Sequence, residues 1–431
     1  MIRWILKGIL RDKTRSLFPF LVVSVGVALV IALMGFMEGI LMGMLDVTAN
    51  LDTGHLRLVN KSFYEEEYLL PMDRALAAQR ETLSWLKKNS DPKIQWSPRI
   101  RWGAIMDVPD EKGETVSQTP ITGMALDLFS PDTPELDRLK LAESLTQGRL
   151  PRQKKEMLIG YQLAETLDVK LGNPVTLIGQ SFDGGLVTDN YIMVGFVRFG
   201  VFLMDKKMAV MDIADAQETF YVEDMVTDWL GFLPASVPIE DYEKHQTILL
   251  DSLQRWNPPA SWANDDEPII KTIFDQRNLR ELTQKFFLIR NIIVAVFVFL
   301  MILVLWNAGL LNGIHRYGEM GLRLSLGETH KQLILTLVIE ALIIGLVGSL
   351  AGSVFGGGVV YYLQEVGIDL GDNLAQTGVM QNDIVRGKLS VHGFLQGIIP
   401  GVTASVLGTF IAALTIFKRS EADLFRELEV G

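Results

Sequence analysis

The chain has no cysteine among its 431 residues, which removes disulfides, thiolate metal sites and thiol nucleophiles. Its five histidines (His55, His245, His315, His330 and His392) lie without ligand spacing, and no H-E-x-x-H occurs. There is no G-x-x-x-x-G-K-[ST], so no P-loop can cradle nucleotide phosphates, and no G-x-S-x-G nucleophile elbow. Asp265-Asp266-Glu267 reads as a solvated turn. Asp183-Gly184-Gly185 is a turn signal without the further acidic spacing of a calcium loop. The expectation is a chain with no catalytic residue, metal or cofactor of its own. A net charge of −11 argues against nucleic acid as a partner.

What the chain does have is long apolar runs without Asp, Glu, Lys or Arg: Leu17–Met37, Asn291–Ile314, Ala341–Gln364 and Gly393–Phe417. Each is about 21 to 25 residues long, and about 20 helical residues cross a hydrocarbon core. One run lies near the N-terminus and three crowd the last third. The sequence therefore predicts an α-helical membrane protein with four transmembrane helices and one large domain between helices 1 and 2. Met34-Gly35-Phe36-Met37-Glu38 offers no A-x-A cleavage pattern, so the first run reads as an uncleaved helix.

Basic residues set the expected orientation. Arg3, Lys7, Arg11, Lys13 and Arg15 precede run one. Arg316, Arg323 and Lys331 lie between runs two and three, and Lys418, Arg419 and Arg426 follow run four. The turn between runs three and four is acidic, with Glu365, Asp369, Asp372 and Asp383 against Arg386 and Lys388. Both termini are expected in the cytoplasm, in a plasma (inner) membrane. The segments expected are a cytoplasmic 1–16, helix 17–45, an extracytoplasmic domain 46–285, helix 286–314, a cytoplasmic loop 315–332, helix 333–364, an outer loop 365–392, helix 393–417 and a tail 418–431.

The outer domain reads as α+β. Strand patterns fall at Gly54–Asn60, Pro98–Pro109, Ser117–Leu126, Pro174–Ile178, Tyr191–Val197, Lys207–Asp212 and Val226–Leu233. Helices are expected at Asp73–Asn89 with Asp73 as N-cap, in part of Lys154–Asp168, at Ile213–Tyr221 and at Ile239–Trp256. A last one is expected at Thr272–Arg290, running into span two. Ser130–Pro134 is a candidate lobe boundary. With about 240 residues, the domain can build a core without disulfides.

The sharpest local signal is the loop Arg316–Gln332. Met320, Leu324 and Leu326 or Leu333 fall near one face of a short amphipathic helix ending at Gly327, and Glu319 and Arg323 stand four apart in the favourable order. Such a helix can dock in a groove on a soluble partner. Glu340 lies one to two turns into the third expected helix, 333–364, from its cytoplasmic side. A local pair with Lys331, Arg323 or a neighbouring backbone and a signal-transmitting contact both fit it. Gly345, Gly348, Gly352 and Gly356 line one face of that run. Either packing against spans two or four of the same chain or contact with a second subunit would use them. Pro400 is expected to kink span four, and Pro19 to be tolerated early in span one.

Arg316, Glu319, Met320, Gly321, Leu322, Arg323, Ser325, Leu326 and Gly327 form a pattern that resembles the loop between the second and third spans of FtsX-like/MacB-type permeases of ABC transporters. Glu340 and the glycines after it resemble that family's third span. Gly148-Arg149-Leu150, Leu158-Ile159-Gly160, Leu163-Ala164 and Leu167–Val175 follow in an order similar to its MacB-type periplasmic core, as do Val194-Gly195-Phe196 and Ala216-Gln217. The ending departs from the family: Ile416-Phe417-Lys418-Arg419 replaces a Pro-Ala pair, and Ala422–Leu428 keeps only a loose likeness. Within the family, Asp52–Asn60, Pro98-Arg99-Ile100 with Gly103, and Thr122-Gly123-Met124-Ala125 are most similar to lipoprotein-releasing permeases of the LolC/LolE type.

The resemblance implies a permease subunit that works by mechanotransmission, with ATP and Mg bound by a separate ABC-type ATPase in two copies. It also implies a second permease chain, identical or homologous, membrane lipids around the spans, and a periplasmic acceptor or carrier protein as a further partner. The ATPase-coupling residues would be Arg316, Glu319, Met320, Gly321, Leu322, Arg323 and Gly327. Lipoprotein release from the inner membrane is the first expectation. MacB-like efflux of amphiphilic peptides or drugs, and FtsX-like signalling to a cell-wall hydrolase without transport, are the alternatives.

Overall fold

The computed structural model describes residues 13–110, 112–130, 133–234, 237, 241–256, 267–276, 278–369, 384–389 and 391–418. The basic residues Arg3, Lys7 and Arg11, part of Ser130–Pro134, Asp265, Asp266, Asp372, Asp383, Arg419 and Arg426 lie outside the described residues.

Among the described residues, four helices are long and apolar enough to cross a membrane. Span one is Lys13–Thr48, continued by a π-helical turn Ala49–Thr53. Span two is Leu279–His315, span three His330–Val366 and span four Val391–Lys418. At 1.5 Å per residue, a helix of 37 residues is about 55 Å long. A hydrocarbon core takes up about 30 Å of that. Pro19 and Pro400 both lie inside their helices. The chain divides into two compact units, one built from the spans and the other formed within Gly43–Leu282.

In the span unit, Val23, Val27 and Ile31 of span one pack with Met301 and Leu305 of span two, Val360 of span three and Ala404 of span four. The glycines of span three explain how the helices come so close. A Cβ on Gly352 would meet the Ser24 carbonyl oxygen at 2.4 Å, and one on Gly356 would meet that of Ala28 at 2.7 Å. Gly348 faces Val23, and its carbonyl accepts a 3.1 Å hydrogen bond from the Ser24 hydroxyl. Gly345 faces Ser405 of span four instead, beside a 2.8 Å bond from the Ser405 hydroxyl to the Ala341 carbonyl. The glycine face is thus an intrachain seam. Its main partner is span one, where the sequence pointed to spans two or four, because a small-residue face does not encode which helix it meets.

The outer unit is a ten-stranded sheet. Its strands are β1 Leu56–Asn60, β2 Gln95–Pro109, β3 Thr115–Leu126, β4 Leu145–Gly148, β5 Glu156–Gly160, β6 Pro174–Gln180, β7 Leu186–Val197, β8 Met208–Asp212, β9 Asp228–Phe232 and β10 Pro268–Thr272. The order is β10-β1-β9-β2-β3-β8-β5-β7-β4, and β6 pairs with both β2 and β7. The pairings β2-β3-β8-β5-β7-β6-β2 therefore close on themselves. Cross-strand neighbours alternate as a pleated sheet requires. Met106 opposite Leu177, and Val175 opposite Tyr191, are buried, while Ile105, next to Met106 on β2, is exposed.

Most strand readings survive with small changes of boundary, but two helices do not start where the sequence placed them. The helix expected from Asp73 runs only over Gln79–Asn89. Leu76 exchanges backbone hydrogen bonds with Val226, so its amide and carbonyl are taken by a β-bridge. The helix expected from Thr272 begins at Leu279, because Pro268–Thr272 is an edge strand on β1. Thr272 and Asp275 form a capping box on a single 3-10 turn in between. Lys154–Asp168 divides into β5 and the helix Tyr161–Leu167, and β4 has no counterpart in the sequence reading.

A cluster of buried charge spans β1, β2 and β9. Arg57 of β1 and Arg99 of β2 are 0% exposed. Asp228 of β9 lies between the two strands and forms ion pairs with Arg57 and, at 3.2 Å, with Arg101 Nε. Glu67 bonds Arg57 at 2.9 Å and Arg101 at 2.7 Å. Arg99 pairs with the buried Glu135 at 3.0 Å, and Arg138 pairs with the same carboxylate at 2.8 Å. Burial pushes the Glu135 carboxyl up, but Arg99 and Arg138 outweigh it and hold the group below the usual carboxylate range. For Arg101, burial works against the charge, and Asp228, Asp52 and Glu67 outweigh it to push the group up.

Candidate functional site

The loop between spans two and three folds as the helix Tyr317–Ser325, the coupling helix expected from the family resemblance. It is short because both ends are fixed. Gly327 stands at φ +96°, in the left-handed region that glycine tolerates, and turns the chain back. Thr329 then caps span three: its hydroxyl accepts from the Gln332 amide, and the Gln332 side chain accepts from the Thr329 amide at 2.9 Å.

Met320, 6% exposed, is the inward anchor of this helix. It borders a cavity of about 80 Å³ that is also lined by Pro19, Leu305, Asn312, Ile344 and Ala412 from the four spans. Leu333 is buried too, whereas Leu326 is 78% exposed and does not belong to the inward face. The reason is the end of the helix at Ser325, after which the helical periodicity no longer places side chains.

Arg316, at the joint between span two and the coupling helix, is the centre of the polar contacts. It donates to Glu319 at 3.3 Å and to Glu340 of span three at 3.0 Å. Arg323 donates to Glu319 at 2.7 Å, the i,i+4 pair expected from the sequence. Glu340 therefore pairs with Arg316, where the sequence had pointed to Lys331, Arg323 or a backbone group. Reading by helical spacing missed this, because the Gly327 turn folds span three back alongside the end of span two. One arginine ties the coupling helix to span three.

The opposite face of the coupling helix carries Gly318, Gly321, Leu322 and Ser325, all exposed and spaced as one helical face. A Cβ on Gly318 or Gly321 would meet nothing within 4 Å. Glycine inside a helix costs about 1 kcal/mol relative to alanine. No contact within the described chain requires that cost at either position.

The domain sequences decide the family. Residues 17–233, half the chain, match the MacB-like periplasmic core domain, and residues 291–420 match the FtsX-like permease C-terminal domain. The chain belongs to the FtsX/MacB-type ABC permeases. Its fold is that of the family: four apolar helices, with a large α+β periplasmic core domain between the first and the second. Among solved structures, the periplasmic region of MacB from Actinobacillus actinomycetemcomitans is similar at 14% identity with a TM-score of 0.33, covering 52% of this chain and 92% of that one. No curated protein matches the chain. Permeases of this type work with an ABC ATPase, and ATP hydrolysis resides in that partner.

Sequence reasoning placed a short helix between spans two and three, as the structure does, but missed the buried Arg57, Arg101 and Asp228 of the outer sheet. A signal was present. Arg57 lies inside an otherwise apolar-alternating strand, and Arg99 and Arg101 stand two apart in another, so that both must project from one face.

Proposed function

We propose that this permease couples ATP hydrolysis by two copies of a separate ATPase to work by its outer domain, and that this work is the release of lipoproteins from the inner membrane. Both termini and the coupling helix lie in the cytoplasm in this reading. A second permease chain completes the transporter, and a periplasmic carrier receives the cargo. Closure of the ATPase pair pushes the coupling helix. Arg316 passes the push to span three through Glu340, and span one, seated on span three along Gly348, Gly352 and Gly356, carries it outward.

The observation that carries the reading is the exposed face Gly318, Gly321, Leu322 and Ser325. Two glycines without an internal steric reason, beside a leucine 62% exposed, make a flat apolar ridge of the kind that lies in a groove on another protein. Lipoprotein cargo, as opposed to a solute, is supported by the scarcity of charge inside the four apolar runs, which leaves little to line a polar pore.

The test is reconstitution of the permease with its ATPase in vesicles carrying a triacylated lipoprotein and a soluble carrier. Lipoprotein should appear on the carrier only with hydrolysable ATP. ATP hydrolysis without any release, together with ATP-dependent expulsion of an amphiphilic drug, would replace this cargo with the efflux reading.

A further inference from the structure

Span one does not end in a flexible link. Its last turn, Ala49–Thr53, is π-helical, with Ala49, Asp52 and Thr53 buried, and the carbonyls that such a turn frees are taken by two arginines of one strand. Arg99 donates to the Asn50 carbonyl at 2.8 Å and to that of Leu51 at 3.0 Å. Arg101 donates to the Asp52 carbonyl and pairs with the Asp52 carboxylate at 2.7 Å. Three successive carbonyls at the end of a membrane helix are thus held by residues two apart on β2.

The same cluster reaches the start of span two. Arg57, joined to Arg101 through Asp228 and Glu67, donates to Gln276 at 3.0 Å, and the helix of span two starts at Leu279. A cluster of buried ion pairs is a poor way to stabilise a domain, since apolar side chains of similar volume do at least as well. What such a cluster supplies, and an apolar contact does not, is direction. Fork-shaped guanidinium groups hold several oxygens in fixed geometry and resist sliding and rotation of the helix end.

We infer that Arg101, with Arg99 beside it, is the positioning residue that makes the end of span one and the outer sheet move as one body. The inference rests on the coupling function proposed above and assigns the place where the push enters the domain. If the helix end could swivel, displacement of span one would be absorbed at residues 49–55 and the sheet would not follow. Lysine cannot replace Arg101 here, because a single ammonium does not reach the Asp52 carboxylate and carbonyl, Glu67 and Asp228 at once.

The experiment uses the full-length permease in complex with its ATPase in nanodiscs, with hydrogen exchange read by mass spectrometry with and without a non-hydrolysable ATP analogue. Arg101→Lys and Asp52→Asn are compared with wild type, with ATPase activity measured on the same samples. In wild type the analogue should alter exchange in β2 and β9. Both variants should keep their basal protection in β6 and β7 and at least half of the ATPase activity, yet lose at least four-fifths of the nucleotide response in β2 and β9. The double swap Asp52→Arg with Arg101→Asp should restore part of it. A full response in the variants overturns the inference and leaves the coupling function standing. Loss of basal protection in both variants makes the cluster a folding element and also overturns the inference. If wild type binds its ATPase but shows no response in the outer domain, the coupling function itself fails and this inference falls with it.

Discussion

Arg316 and Glu340, 24 positions apart, meet at 3.0 Å where the coupling helix leaves span two. Both side chains are partly exposed, so the pair contributes little stability, on the order of 1 kcal/mol or less. Its geometry matters more, because it joins the coupling helix to span three. Arg316→Ala should leave thermal stability almost unchanged and the ATPase bound, while ATP-driven cargo release falls by roughly tenfold, a typical coupling free energy. Equal loss of binding and release would show that Arg316 serves docking and not transmission.

The glycine seam predicts a sharp positional contrast. A Cβ at Gly352 would lie 2.4 Å from the Ser24 carbonyl oxygen, whereas one at Gly358 meets nothing within 4 Å. Gly352→Leu should push spans one and three apart and lower the melting temperature in detergent. Gly358→Ala should be neutral or slightly stabilising through helix propensity, by up to about 1 kcal/mol. Thermal unfolding followed by tryptophan fluorescence compares the two.

Glu135 is buried between Arg99 and Arg138. Removing its carboxylate with Glu135→Ala leaves buried guanidinium charge uncompensated, with an expected loss of about 3–5 kcal/mol. Hydrogen exchange of β2 and β9 in the full-length protein would report this loss, and unchanged protection there would show that water reaches the cluster.

His55 gives the outer domain a pH dependence. Burial first, and Arg138 second, lower its pKa from 6.5 to about 4, while its Nδ1 accepts from the Leu233 amide at 3.1 Å. The unfolded chain binds this proton below pH 6.5 and the folded chain does so only near pH 4, so stability falls as pH drops through that window. His55 keeps some exposure, so the full effect is at most about 3 kcal/mol. His55→Gln should flatten that part of the stability profile, and an unchanged slope would assign it to other groups.

How much of this was legible depended on the range of the signal. The spans, the alternating strands and the pair Glu319–Arg323 are local patterns, and periodicity recovers them. Leu76 was misread as helical because its β-bridge partner, Val226, lies far along the chain. Glu340 was singled out as an ionisable residue in an apolar helix, but its partner depended on the fold-back at Gly327. The arginines of the outer sheet were visible as charges in strand patterns. That Arg57 and Arg101 converge on Asp228 and Glu67 could not be read from spacing, because it depends on strand order β1-β9-β2.

The central claim is that the coupling helix is the docking ridge for an ATPase, and a mild-detergent pull-down of the full chain with an ATPase assay tests it most directly. Wild type is compared with Gly321→Trp, which fills open space on the exposed face and leaves the Arg316, Glu319 and Arg323 pairs in place. The account predicts that an ABC ATPase co-purifies with wild type and is lost, with its activity, from Gly321→Trp, while both chains melt within a few degrees of each other. An ATPase retained equally by Gly321→Trp would contradict it.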